Sequence, residues 1–287
     1  MATLSVMAPR TCTRCLYVEG MGLDFLPRVL PHRLVKDMAI AADGVCSLCR
    51  AYARDFDAAA VDRERDELLC HSRGAPVVVA LSGGKDSLST LWLARRVLAL
   101  EVRAVLLDNG FIPAAVLEVA RAACARLDVP LTITALAGDE RASFASLVAG
   151  DAAGTILPCG ACSRYIERAL VDVARDAGAR MLLLGTNFFA SWGKRPSSIT
   201  SSGASMVLHL PYALGVKRAD VESHLDALGV RPVAGLLGST NCRVPGLMQS
   251  RAKTRGHTID VEDLLLEVLV GHLTRDEALR RARPADT

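Results

Sequence analysis

The chain predicts an α/β protein: a doubly wound parallel sheet with helices on both faces, preceded by a small cysteine-rich module and followed by a helical tail. Three observations carry this prediction. From residue 75 to about 185, short apolar runs alternate with amphipathic stretches. The runs are continuously apolar, which marks strands buried on both faces. Ahead of them stand two CxxC pairs in a stretch of weak periodicity, which reads as a loop-rich, zinc-ribbon-like module.

The elements follow in order. Residues 1–70 form the first unit, a cysteine-rich module to about residue 56 and then a helix over 57–70. Residues 71–215 form the second. Strands are expected at VVVAL (77–81), VRAVLLD (102–108), PLTITAL (130–136) and RMLLLG (180–185). Helices are expected over 86–100, 113–128 and 163–179, the second opening on a proline suited to a first turn. In such a sheet, ligands sit beyond the carboxyl ends of the strands. SSITSSGAS (197–205) reads as the mobile loop. Residues 216–287 form the third unit, in which KRADVESHLDALG and VEDLLLEVLVGHLTRDEALRR carry helical spacing.

Composition narrows the function. A net charge of +3 over 287 residues does not suggest a general nucleic-acid binder, though it permits a local basic patch. Aromatic residues make up 4%, too few for a base-stacking RNA module. No run reaches the ~18 apolar residues of a membrane span. MATLSVMAPR lacks a basic start followed by an apolar stretch, so a cytoplasmic protein is expected. Disulfides are rare in a reducing compartment. The nine cysteines, with pairs at 12–15, 46–49 and 159–162, therefore point to metal or redox chemistry.

SGGKDS (82–87) follows a predicted strand and opens a predicted helix. Glycines let the backbone approach a ligand closely. The free N–H groups of a helix start, with its dipole, favour an anion such as phosphate. The hydroxyls of Ser82 and Ser87 add donors, and Lys85 adds positive charge. The commoner GxxxxGK[ST] loop is absent, since Val79 and Asp86 occupy its diagnostic positions. The plainer alternative is a glycine-rich turn with no ligand.

SGGKDS, together with AVLLDNGF (104–111) and LLLGTNFFAS, resembles the pyrophosphate loop and strand ends of the ATP pyrophosphatases, in the adenine-nucleotide α-hydrolase-like superfamily, over most of the chain. The resemblance implies a HUP-like PP-loop domain that binds ATP with Mg2+. Ser82, Gly83, Gly84, Asp86 and Ser87 would hold the pyrophosphate, with Lys85 beside them. Asp108 and Gly110 would lie near the adenosine, and Gly185 and Thr186 would line the adenine pocket. Relatives often carry an acidic residue soon after the fourth-strand glycine, whereas Asn187, Phe188 and Phe189 follow here. The implied reaction is attack of a substrate oxygen on the α-phosphate, loss of pyrophosphate, then displacement of AMP by sulfur or nitrogen.

Cys12, Cys15, Cys46 and Cys49 have the pairing of a four-cysteine zinc knuckle, in which each CxxC supplies a tight turn. The 30 residues between the pairs exceed the usual span of about 15–20. Unligated thiols and an iron–sulfur cluster are the alternatives. This segment resembles the N-terminal part of N-acetyl sugar amidotransferases and the zinc modules of some tRNA-thiolating enzymes. Cys159 and Cys162 are expected on a loop just ahead of a helix. In the iron–sulfur tRNA thiolases a CxxC at this place joins one later cysteine to bind a [4Fe–4S] cluster by three ligands, and Cys242 is the matching residue. A redox or persulfide-carrying pair, a second zinc site and plain buried thiols also fit the spacing. The resemblance thus makes Lys85, Asp86, Cys159, Cys162 and Cys242 the catalytic candidates of an adenylating sulfurtransferase. An amidotransferase fed with ammonia by a partner glutaminase is the rival, and a nucleotide-holding scaffold is a third reading. Implied partners are ATP, an acceptor (a tRNA base or a small metabolite) and a sulfur donor or sulfur-carrier protein. A homodimer is compatible with the sequence, and no membrane association is expected.

Cys70 and Cys124 fall at apolar helical spacing and are expected in the core. The six histidines form no HxH or HxxxH spacing. Arg243, Arg251, Lys253 and Arg255 could grip phosphate or form a solvated face, and Lys194 and Arg195 could approach the transition-state charge.

Overall fold

The computed structural model describes residues 9–282 apart from 24–25, 153–154, 156, 194, 235, 237–240 and 253–258. Lys194, Lys253 and Arg255 therefore lie outside the described residues. Four helices open the chain: α1 (Leu26–Val29), α2 (His32–Val35), α3 (Ser47–Asp55) and α4 (Ala58–His71). The central layer follows as β1 (Val77–Ala80), α5 (Lys85–Trp92), β2 (Val102–Asp108), α6 (Ala114–Leu127), β3 (Leu131–Ala135), α7 (Gly138–Gly150), α8 (Leu157–Ala177), β4 (Met181–Leu184), β5 (Ser197–Ile199), β6 (Met206–His209) and α9 (Leu210–Ala213). Helices α10 (Arg218–Leu228), α11 (Val244–Ala252), α12 (Ile259–Leu269) and α13 (Arg275–Ala282) complete the chain.

The six strands lie in the order β3-β2-β1-β4-β6-β5, parallel except for β5 against β6. β1 is the switch strand, with Val79 opposite Ala104 of β2 on one side and Leu183 of β4 on the other. Its residues serve both faces. Val77 and Val79 join Leu88, Leu91, Ala120 and Leu225 in one core, and Val78 joins Leu170, Ala174 and Leu182 in the other. This explains why the strand shows no polar alternation.

Several expectations change. The segment 197–205 is not a free loop. Ser197–Ile199 pairs antiparallel with Met206–His209, and three or four residues are too few for a period of two to show. Helix α7 was not anticipated; Gly138 and Gly150 at its ends masked it. The helix after the glycine loop is α-helical only to Trp92 and continues as a π-helical turn over Leu93–Val97. Cys124 is buried as expected, but Cys70 on α4 is exposed.

The first and last parts of the chain share a core. All four N-terminal cysteines, Leu26 and Leu48 pack with Leu265 and Leu266 of α12, Ala278 of α13, Phe189 of the loop after β4 and Tyr212 of α9.

Candidate active site

β1 ends at Ala80 and the chain turns through Leu81–Gly84 into α5. Gly83 has φ +75, and a side chain there would strike the Val116 carbonyl oxygen at 3.0 Å. The serines brace the turn. The Ser82 N–H donates to Ser87 Oγ at 3.1 Å, the Gly84 N–H donates to Ser82 Oγ at 3.3 Å, and Ser87 Oγ–H donates to the Gly84 carbonyl at 2.9 Å. The first N–H groups of a helix lack intrahelical partners. Those of α5 therefore open beside the turn with the positive end of the dipole. Gly185, just after β4, sits hard against this start: an added Cβ would come within 2.8 Å of the Ser87 nitrogen. Glycine here lets the fourth strand end pack on the loop.

A cavity of about 650 Å³ lies over the carboxyl ends of β1, β2 and β4. Ser82, Gly84, Lys85, Asp86 and Ser87 form one wall, and Gly185 and Thr186 another. Cys159, Cys162 and Cys242 line the same cavity. Gly83 supports the turn from below. Asp108 and Gly110 stand at the end of β2, where the Gly110 N–H donates to Asp108 Oδ1 at 2.8 Å. The intervening Asn109, rather than either neighbour, forms the cavity wall.

Cys159 and Cys162 do not sit on a loop. Helix α8 begins at Leu157, whose N–H donates to Thr155 Oγ1 at 3.3 Å, and Pro158 loses nothing by lacking an N–H in the first turn. The two cysteines are thus three residues apart on a helix, on neighbouring positions of one face. Cys242 is brought to them by the segment before α11, which the Arg243 N–H anchors to the Phe111 carbonyl at 3.1 Å. Beneath lie Leu107, Phe144, Val148, Val244 and Met248. Asn109, nearly fully buried, connects the sulfurs: its Nδ2 donates to Cys162 Sγ at 3.2 Å and reaches Cys242 Sγ at 3.8 Å. Burial pushes the Cys159 thiol up to about 12 and raises Cys162, the latter partly offset by the Asn109 amide. A reactive free thiolate needs the opposite shift.

Charge beside the loop comes from far along the chain. Lys85 Nζ contacts Asp86 Oδ2. Burial works to lower the Lys85 pKa, but Asp86, Glu267 and Asp263 outweigh it and leave it raised. Asp263 and Glu267, both on α12, line the cavity. The other Asp86 oxygen, Oδ1, is buried with no hydrogen-bond partner among the described residues. An orphaned carboxylate oxygen beside an anion loop suits a Mg2+ ion. His209 also lines the cavity; its Nδ1 bonds the Phe188 carbonyl at 2.9 Å, and burial lowers its pKa. Asn109, Asp263, Glu267 and His209 carried no motif. Asn109 alone had a signal, its place directly after a strand.

The second cysteine group differs in kind. Cys12, Cys15, Cys46 and Cys49 are buried, and their sulfurs lie within 4.8 Å of one another. Cys12–Cys49 and Cys15–Cys46 are 4.0 and 3.7 Å apart. Four sulfurs about 2.3 Å from one zinc would stand about 3.8 Å apart, so the site fits a tetrahedral ion. Backbone N–H groups of Arg14, Tyr17, Cys46 and Cys49 donate to these sulfurs at 3.3–3.5 Å, which supports thiolate ligands. Hydrogen bonding from Cys15 lowers Cys12 to about 6 and Cys46 to about 2, and raises Cys15 itself. This centre can hold a metal ion, and tetrahedral sulfur suits zinc or iron.

No family model matches the chain, and no curated protein matches it in sequence. Among solved structures it is similar to the NMN synthetase from Francisella tularensis, at 16% identity over 83% of this chain and 98% of that one, with a TM-score of 0.46. A likeness of that degree leaves the function to this chain's own residues. No helix among the described residues is long and apolar enough to cross a membrane.

Proposed function

We propose that this chain is an ATP-dependent, adenylating sulfurtransferase. One observation carries the reading: the glycine loop after β1 and the cysteines 159, 162 and 242 open into the same cavity. The cavity has the size of an ordinary ligand site. The triphosphate lies across the ends of β1 and β4. Its β- and γ-phosphates meet the N–H groups of the loop and the first turn of α5. Gly185 and Thr186 flank the nucleoside, while Asp108 and Gly110 shape the end of β2 near it.

In the first step an acceptor oxygen bonds to the α-phosphorus and the bond to the β-phosphate oxygen breaks. The departing pyrophosphate takes the electron pair, and its charge is met by fixed N–H dipoles and Lys85. Asp86, with its orphaned oxygen, would hold the Mg2+ that accompanies the nucleotide. In the second step a sulfur nucleophile bonds to the activated carbon and AMP leaves with the former acceptor oxygen.

Cys159, Cys162 and Cys242 would hold the iron–sulfur cluster. Among the described residues, only the N-terminal four converge within 4.8 Å. The three cavity sulfurs converge less tightly than that, as a group larger than a single ion would require. The Asn109 amide supplies a hydrogen bond to sulfur of the kind that tunes such clusters. When bound, the cluster supplies sulfur at the oxidation level of sulfide.

The test is anaerobic reconstitution with iron and sulfide, followed by ATP with candidate acceptors. Visible cluster absorbance, pyrophosphate release and a thionated product are expected, all lost in Cys242→Ala except residual nucleotide binding. Full turnover of Cys242→Ala with ammonia would transfer the reading to amidotransfer. Comparing thionated nucleosides and small sulfur metabolites in cells with and without the protein identifies the acceptor.

A further inference from the structure

The N-terminal cysteine centre and the cavity share a helix. One face of α12 gives Leu265 and Leu266, both fully buried, to the core that contains Cys12, Cys15, Cys46 and Cys49. Another face gives Asp263 and Glu267, four residues apart, to the cavity wall beside Lys85. Glu262, also fully buried, accepts the Leu26 N–H at 2.8 Å. Helix α13 then closes on the metal module itself. Arg275 Nε donates to the carbonyls of Cys12 at 3.1 Å and of Cys15 at 3.2 Å.

A second cavity wall rests on the same core. Asn187 lines the cavity; two residues on, Phe189 packs among the module's side chains, stacked on Tyr52 with ring centroids 5.8 Å apart. Trp192 Nε1 donates to Asp55 Oδ2 at 2.7 Å, tying the end of this loop to α3. The module therefore supports the loop after β4 on one side and α12 on the other.

We infer that the four-cysteine metal centre sets nucleotide affinity from outside the cavity, by docking α12, α13 and the 187–193 loop. Asp263 and Glu267 are then positioning residues for Lys85, and Arg275 is the connector between metal module and helix pair. The inference rests on the proposed binding of ATP. Its physical basis is that the four cysteines are themselves buried members of the core that the module shares with α12 and α13. Four thiols without a metal leave that core incomplete, and a small module relies on its metal for order. A nucleotide binding to the metal-free chain must then offset the ordering of two cavity walls, whereas the loaded chain is already organised. Coupling of this sort is reciprocal: nucleotide must tighten metal binding by the same factor that metal tightens nucleotide binding.

The experiment measures Zn2+ affinity by competition with a chelator, with and without ATP held as its magnesium complex, on the full chain. Far-UV circular dichroism follows the sheet throughout. ATP is expected to tighten Zn2+ binding about tenfold, within the usual range of coupling between sites. In Arg275→Ala, where all four ligands and the cavity residues remain, the factor should fall towards one. Unchanged or weakened Zn2+ affinity in wild type that does bind ATP would overturn this inference alone. So would a factor that persists in Arg275→Ala, which means that the coupling does not run through this connector, or loss of the sheet's signal along with zinc, which means that global unfolding links the sites. Failure of zinc-loaded wild type to bind ATP at all would instead sink the functional reading, and this inference with it.

Discussion

The two cysteine groups use the same residue to opposite ends. The N-terminal four are buried in an apolar core, their sulfurs 3.7–4.0 Å apart across the centre and braced by backbone N–H groups. A site closed on every side by protein ligands has nothing left to offer a substrate, so a metal held there would act on structure. Cys159, Cys162 and Cys242 stand partly exposed in a wall of the cavity that also holds the glycine loop. Three sulfurs around an open space would, as ligands, leave a position for chemistry. Both groups are built on CxxC, two pairs in the first and one pair joined by Cys242 in the second; they differ further in the number of sides that protein covers.

The contrast breaks most visibly at the closed site. Cys46→Ser should abolish metal binding and unfold the module with the α12–α13 core, because metal binding in such sites is worth about 10–16 kcal/mol of folding free energy. Metal analysis and a thermal melt check this. Cys162→Ala should leave the melt within about 1 kcal/mol of wild type while removing cluster absorbance. Equal destabilisation by both would erase the distinction.

Next in size is the fit between loop and strand. Gly185→Ala forces a methyl group against the Ser87 backbone, which must shift the start of α5. A displacement near 1 Å at reacting groups costs about 100-fold in rate. Pyrophosphate release should fall by that order while the metal content of the N-terminal site stays constant.

Asn109→Ala removes the amide that serves Cys162 and Cys242. Loss of such a supporting partner typically costs about 10–100-fold in metal affinity or activity. Cluster retention after gel filtration should drop accordingly, with no effect on metal bound at the four N-terminal cysteines.

The smallest effect is a pH slope. Burial holds the His209 pKa below its ordinary value of 6.5. The unfolded chain therefore takes up that proton first, and stability should decline as pH falls through 6.5 and onward to the folded pKa. His224 shifts in the same direction through burial. His209→Gln should flatten part of the decline in denaturant titrations at pH 5.5 and 7.5, leaving the share due to His224.

The features legible in the sequence are the local ones. Val77–Ala80, the turn through Gly84 and the start of α5 declare themselves because strand, glycines and helix cap are contiguous. Cys12–Cys15 and Cys46–Cys49 were recognisable because each CxxC is itself the turn that builds the site. Asp263 and Glu267 were illegible as cavity residues, since α12 reaches Lys85 only through long-range packing against the metal module. His209 enters through β6, a strand of four residues whose pattern is too short to detect. Cys159 and Cys162 were recognised as a pair but misplaced onto a loop. The helix starts ahead of the pair, at Leu157, because Pro158 is tolerated in a first helical turn.

In the proposed function, one cavity joins nucleotide activation to the three-cysteine group. A crystal structure of the anaerobically reconstituted protein with a non-hydrolysable ATP analogue tests it most directly. The expected result is β- and γ-phosphate density against the N–H groups between Gly83 and Ser87, and iron density at Cys159, Cys162 and Cys242 in the same cavity. A triphosphate bound elsewhere, or iron confined to the N-terminal cysteines, would contradict it.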